Sequence, residues 1–285
     1  MNLHRKQNKS SNFMWIIITL VVALMIAGAV FFASGKFNVA PAKEAAGENS
    51  KAVVAHKQEQ NKQEQNKQEQ NKMEKNADGR PEGKWVYLTI DDGPSKYTGQ
   101  ILDILQKEHI KATFFMQGVN LQKTNLQEYV KRADKEGHYI GAHSMTHDPN
   151  KLYKQGTFMQ EMKETISLIH DITGKTPKLI RAPYGSVPGL TDKLQPVIDA
   201  GLKMWDWNID SEDATKLGIN NPDHIVETIK KETNRDIEVV LIHDKIGTLQ
   251  KLPEIIQFFR EKGYNFGVYN EKEHFPMNFK NDSRI

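Results

Sequence analysis

The chain has 285 residues, and its 39 basic and 36 acidic side chains leave a formal charge of +3, too small to make nucleic acid an obligate partner. Hydrophobic residues make up 38% and charged residues 26%, which excludes collagen, wholesale disorder and a multi-span membrane protein. Cysteine is absent, so disulfides, thiolate-bound zinc, iron–sulfur clusters and thiol nucleophiles are excluded together, and any metal must sit on histidine nitrogen and carboxylate oxygen.

From Phe13 to Ala33 no residue is charged and nearly all are apolar. As a helix this run measures about 30 Å, the thickness of bilayer hydrocarbon, which predicts a single transmembrane anchor. Arg5, Lys6 and Lys9 favour a cytoplasmic segment over residues 1–12, a bias that Lys36 and Lys43 weaken. The rest of the chain is then extracellular, at the cell membrane. The alternative is a secreted protein whose signal peptide is cleaved near Ala33-Ser34-Gly35 or Ala40-Pro41-Ala42, although the apolar run is longer than the usual h-region of about 7 to 15 residues. Residues 34–83 contain few large apolar side chains, and from Gln58 to Lys72 the pentad Gln-Glu-Gln-Asn-Lys repeats three times. A period of five matches neither a helix face nor a strand face, so this stretch reads as a solvated linker.

From Lys84 short β-rich runs alternate with amphipathic ones. Strands are predicted at Trp85 to Ile90, Ala112 to Gln117, His138 to Ala142, Lys178 to Arg181, Lys203 to Trp207, Glu238 to His243 and Asn265 to Tyr269. Helices are predicted between them at Tyr97 to Glu108, Leu121 to Glu136, Thr157 to Thr173, Leu190 to Ala200, Pro222 to Asn234 and Leu249 to Lys262, several stopping at a glycine. Strict alternation predicts an α/β fold of about seven parallel strands, open or closed into a barrel. Residues 271–285 read as a polar tail that frays.

Parallel α/β folds carry chemistry at the C-terminal ends of their strands, and five clusters lie there. The first strand runs into Asp91-Asp92-Gly93-Pro94, two adjacent carboxylates at a break, which elsewhere is an ordinary turn. The third ends in His143-Ser144-Met145-Thr146-His147; if the segment is helical, both imidazoles share a face and can reach one metal ion. After the fourth comes Arg181-Ala182-Pro183-Tyr184-Gly185, a rigid turn opening with a permanent cation. The fifth leads through Trp205-Asp206-Trp207 to Asp210-Ser211-Glu212-Asp213-Ala214, where the aromatics suit either a wall for sugar rings or the edge of a core. The sixth ends in Leu241-Ile242-His243-Asp244. His109, His138, His170 and His224 have no partner at ligand spacing and read as structural or solvated.

Taken together, these five clusters resemble the ordered motifs of the polysaccharide deacetylase family, the NodB-like domain of carbohydrate esterase family 4, over residues 84–270. The resemblance implies a distorted (β/α) barrel that removes N-acetyl groups from polymeric amino sugars. It implies Asp91 as general base, and Asp92, His143 and His147 as ligands of a divalent cation, most often Zn2+, with Co2+ an alternative. Arg181 would hold Asp91, the Tyr184 backbone N–H would help bind the oxyanion, and His243 would act as general acid oriented by Asp213. Tyr184, Trp205, Trp207 and Leu241 would line the substrate groove. The family's tryptophan after the second motif aspartate is replaced by Ala214, which removes part of one groove wall. Two histidines and one carboxylate leave an open coordination position, the mark of a catalytic metal site.

The expected partner is cell-wall polysaccharide, peptidoglycan or a chitin-like polymer, met by a domain held near the membrane. A deacetylase of O-acetylated glycans and a carbohydrate-binding protein with vestigial activity are the alternatives.

Overall fold

Among the described residues, 79–186 and 194–285 of the computed structural model, eight strands form one sheet. They are β1 (Trp85–Asp91), β2 (Thr113–Met116), β3 (Tyr139–Ala142), β4 (Leu179–Ile180), β5 (Lys203–Met204), β6 (Ile209–Asp210), β7 (Ile237–His243) and β8 (Asn265–Gly267). Every pairing is parallel, in the order β5-β4-β3-β2-β1-β7-β6. β8 pairs with the first three residues of β1 and β2 with the last three, while β7 runs beside its whole length.

This order forces the sheet to curl. β5 and β6 lie at opposite edges, yet Met204 and Ile209 are joined by so short a connection that they can be at most about 18 Å apart. Seven strands laid flat would separate the outer two by about 29 Å. The chain therefore bends the sheet until its edges nearly meet, and the seam is filled from the C-terminus. Trp205 forms a parallel bridge with Met277, and the Asp206 N–H donates to the Met277 carbonyl at 2.6 Å.

Alternation along β1 sorts its side chains into two cores. Val86, Leu88 and Ile90 join the large cluster beneath the outer helices, among them Thr98–Lys107, Phe158–Thr173 and Ile246–Glu261. Trp85 and Tyr87 point inside the curl, where they pack with Phe115, Leu179, Trp205, Val239, Tyr269 and Phe275. Each large side chain so covered contributes about 1.5–3 kcal/mol. The inner face thus has an aromatic floor, with Thr89 and Asp91 next in line toward the open end.

The seven expected strands are all present, but the fifth ends early. Trp205–Asn208 crosses between the edges rather than extending β5, and the eighth strand is the short β6 on the far side. The expected helix from Leu121 to Glu136 is split into Gly118–Leu121, a 3-10 turn at Thr124–Leu126 and Gln127–Lys135. An unexpected short helix occupies Lys216–Asn220, capped by the Thr215 hydroxyl. The helix Phe158–Thr173 ends where the sequence indicated, at Gly174 with φ 77°.

The expectation of a fraying tail is wrong. Phe275 is 2% exposed, Ile285 is fully buried, and Asn278 donates from Nδ2 to the carbonyls of Asp282 and Ile285. The tail carries few apolar residues, but they alternate at Phe275, Met277 and Phe279, which is the pattern of a segment laid into a seam. The expected anchor at 13–33, the linker up to residue 78 and the first turn of the helix expected from Leu190 lie outside the described residues. Among the described residues no helix is long and apolar enough to cross a membrane.

Candidate active site

Strand register brings the sequence clusters to one rim. Asp91 is level with Phe115 on β2 and with His243 on β7; Met116 is level with Ala142 on β3, and Ala142 with Ile180 on β4. The residues at which these strands run out, Asp91 and Asp92, His143, Arg181 and His243, therefore emerge side by side.

Asp92, His143 and His147 each offer one ligand atom, and these atoms lie within 4.8 Å of one another. Both imidazole Nε2 atoms are 3.9 Å from Asp92 Oδ1. Among the described residues no other group of three such side chains is as close. The segment 143–147 is not helical. Ser144 and His147 adopt left-handed φ angles of 61° and 57°, the His147 N–H donates to Ser144 Oγ at 3.0 Å, and the two rings come to 5.0 Å between centroids. A kinked loop, not a helix face, makes the pair converge. Asp92 is also left-handed, at φ 68°, and its carbonyl accepts from Asn120 Nδ2 at 2.8 Å.

The donor chemistry of this trio fits a divalent cation. His143 Nδ1 is 2.9 Å from the Arg181 carbonyl. A carbonyl can only accept, so Nδ1 carries the proton and the Nε2 lone pair faces the trio, as in metal-ligating histidines. Burial works against ionisation of Asp92, but His143, His243, His147 and Lys245 together outweigh it and hold its carboxyl below the usual range. Burial, with His143 adding to it, lowers His147, which keeps that ring neutral and able to ligate.

Asp91 is 2% exposed and faces two groups. Arg181 Nη1 donates to its Oδ1 at 2.9 Å, and His143 Nε2 lies 3.5 Å from its Oδ2. Arg181 is itself fully buried, inside the curl above the aromatic floor. Its remaining donors go to Thr89 Oγ1 at 2.7 Å and to the carbonyls of Trp205 at 2.9 Å and Asp206 at 2.8 Å, and its guanidinium lies 4.1 Å from the Phe115 ring centre. Its one acidic partner at contact distance is thus Asp91, and every other contact fixes its position.

On the other side of Asp91, His243 Nδ1 lies 2.7 Å from Asp213 Oδ1. The His243 N–H and the Thr248 hydroxyl both donate to Asp213 Oδ2 at 2.7 Å. Burial pushes His243 down, but the hydrogen bond and charge of Asp213, with Asp91 and Asp92 behind them, win and raise it. The same bond, with that from Thr248, overcomes burial and lowers Asp213.

The geometry is that of a carboxylate poised between a three-ligand cation position and an imidazole whose pKa a second carboxylate raises. A family model for polysaccharide deacetylase matches residues 78–205. A peptidoglycan-N-acetylglucosamine deacetylase of Bacillus cereus is 44% identical over 209 residues, covering 72% of this chain and 76% of the relative. The chain belongs to the polysaccharide deacetylase family. The crystal structure of the polysaccharide deacetylase Bc1974 from Bacillus cereus superposes with a TM-score of 0.67 at 44% identity, over 71% of this chain and all of the other. The catalytic domain of a peptidoglycan N-acetylglucosamine deacetylase from Eubacterium rectale gives 0.64 at 32% identity, over 71% and 96%.

One of the expected groove residues sits elsewhere in this deacetylase. Trp205 has no exposed surface; it is wedged among Tyr87, Tyr269 and Phe275, its indole N–H donating to the Phe275 carbonyl at 2.9 Å, so it belongs to the floor. Leu241 is 4% exposed and alternates with Val240 and Ile242 of the outer core, so it shares the inner face of β7 with Val239 and His243, level with Thr89. Tyr184 is half exposed, its ring 4.7 Å from that of His147, and its hydroxyl donates to the His147 carbonyl at 3.1 Å. Trp207 is half-buried, 5.6 Å from the Arg181 guanidinium. His138 accepts the Ala112 N–H on Nδ1, and burial pushes it down to about 4, so it is a neutral core histidine.

Sequence reasoning missed the residues that hold the loops. Buried Glu161 accepts from the Thr146 N–H at 2.8 Å and from the Thr146 and Thr157 hydroxyls, bracing the loop between His143 and His147. Buried Asp244 accepts from Ser95 Oγ at 2.8 Å and from the Thr98 hydroxyl, and its N–H donates to the Asp91 carbonyl at 2.9 Å. Asp244 had a signal, since it directly follows a motif histidine. Glu161 had none, since a carboxylate in an amphipathic helix reads as solvated.

Proposed function

We propose that this deacetylase is metal-dependent and removes N-acetyl groups from N-acetylglucosamine units of a cell-wall polymer, peptidoglycan first, outside the cytoplasm. The observation that carries the reading is the placement of Asp91 between the Asp92–His143–His147 trio and the His243–Asp213 pair. Residues 13–33 would anchor the chain and the repeats would space the domain from the membrane. The close relatives named for peptidoglycan N-acetylglucosamine support the choice of polymer.

Asp92, His143 and His147 would hold a divalent cation, zinc first and cobalt as a substitute, which would supply Lewis acidity for the amide carbonyl and acidify water. Asp91 takes the proton of the attacking water on Oδ2, the oxygen left free by Arg181. Arg181, donating to Oδ1, keeps that carboxylate aimed. As the acetyl carbon becomes tetrahedral, the Tyr184 backbone N–H meets the charge on oxygen, a contribution of about 3–4 kcal/mol for one preorganised donor. An amine leaves only when protonated, and His243, whose hold on a proton Asp213 strengthens, gives its Nε2 proton to the departing sugar nitrogen.

The test is acetate release from N-acetylglucosamine oligomers, which chelation abolishes and added zinc or cobalt restores. Full activity after exhaustive chelation contradicts the metal assignment, and the absence of acetate release in metal-supplied protein contradicts the substrate class.

A further inference from the structure

Phe279 lies beyond the residues that match the family model and beyond the expected end of the domain at residue 270. It is 49% exposed, although Phe275, four residues earlier on the same segment, is completely packed. Its backbone is nevertheless fixed. The Phe279 N–H donates to Asp206 Oδ2 at 2.7 Å and to Ser186 Oγ at 3.1 Å, and the fully buried Asp206 also accepts the Ser186 N–H at 2.9 Å and the Ser186 hydroxyl. The ring meets Trp207 edge-on at 5.1 Å between centroids. Beneath it Gly185 has φ 80°, and a Cβ there would fall 2.6 Å from Phe279 Cε2 and 3.3 Å from Trp207 Cη2. The missing side chain lets the two rings lie against the backbone next to Tyr184.

These contacts join the rings to the site at both ends. Trp207 stands beside the Arg181 guanidinium that holds Asp91, and Tyr184 stands against His147. Beyond the contacts with His147 and Trp207, Tyr184 and Phe279 are half exposed and leave aromatic surface that is uncovered among the described residues. A rigid aromatic surface beside a reaction centre suits a ligand with one apolar face and a polar rim, which describes a pyranose ring.

We propose that Phe279, with Trp207, is a substrate-binding shelf for the sugar ring adjacent to the one being deacetylated, so that the C-terminal segment sets the preference for polymer over single sugar. The proposal rests on the reading of the site as a glycan deacetylase and deepens it by assigning a neighbouring-ring contact.

The experiment compares the full-length wild type with Phe279→Ala, Phe279→Leu and Phe279→Tyr, each loaded with zinc, on N-acetylglucosamine oligomers and on the monosaccharide. Phe279→Ala raises KM for the oligomers about tenfold while kcat stays within about twofold, the loss of one aromatic contact made equally in ground and transition states. Phe279→Tyr restores the wild-type KM. Phe279→Leu keeps the apolar packing on Trp207 but not the flat ring, and shows the same rise even if the alanine variant folds poorly. Rates on the monosaccharide, which has no neighbouring ring, are equal for all four proteins. An unchanged oligomer KM in the leucine variant, or an equal loss on monosaccharide and oligomer, overturns the proposal and leaves the deacetylase reading standing. No acetate release from any substrate by the wild type overturns both.

Discussion

Two histidines that end neighbouring parts of one rim are prepared for opposite work by what faces their second nitrogen. His143 turns Nδ1 to a backbone carbonyl, and His243 turns Nδ1 to the carboxylate of Asp213. A carbonyl fixes the tautomer without favouring a charge, which leaves Nε2 a lone pair for a cation. A carboxylate stabilises the imidazolium, which leaves Nε2 a proton to give away. Asp91 lies level with His243 and within 3.5 Å of His143, so the proposed base stands at the boundary between the two environments. The proposed ligand and the proposed acid are distinguished by their supports rather than by residue type.

The largest effect tests the boundary itself. Asp91→Asn keeps the shape and removes the base, and kcat for acetate release falls about 10²–10⁴-fold with metal still bound, measured by single-turnover assay and by metal analysis of the same sample. A variant that loses its metal as well would show that Asp91 belongs to the cation's side. Next comes Arg181→Met, which leaves Asp91 buried without its cation. Urea unfolding at neutral pH then shows a loss of about 3–5 kcal/mol, and an unchanged midpoint would mean that the pair does not hold the base. The smallest effect sharpens the acid's side. In Asp213→Asn, burial is no longer opposed by the carboxylate, so His243 titrates at lower pH than in the wild type. The charged form is lost earlier as pH rises, and the alkaline limb of the kcat profile moves toward lower pH while the acid limb stays. A stationary alkaline limb contradicts His243 as the proton donor.

Much of this was legible in the sequence, for identifiable reasons. Strand ends carry breaks such as Gly93-Pro94 and Pro183, so the motif residues could be placed on the rim before any register was known. The histidine pair was legible by residue type and spacing, but not the loop that makes it converge, because left-handed angles at Ser144 and His147 and the brace of Thr146 on Glu161 in the following helix leave no periodic signal. Trp205 and Trp207 look alike in sequence, and only the curl decides that one is floor and the other rim. β6 was invisible because two residues show no period, and the seam segment because three alternating apolar residues were outweighed by their polar neighbours.

Arg181 reaches the crossing at Trp205 and Asp206 with the same guanidinium that steadies Asp91. Catalytic aim and architectural closure are therefore fused in one side chain. A substitution that relaxes the crossing would be transmitted to the Asp91 carboxylate without touching it.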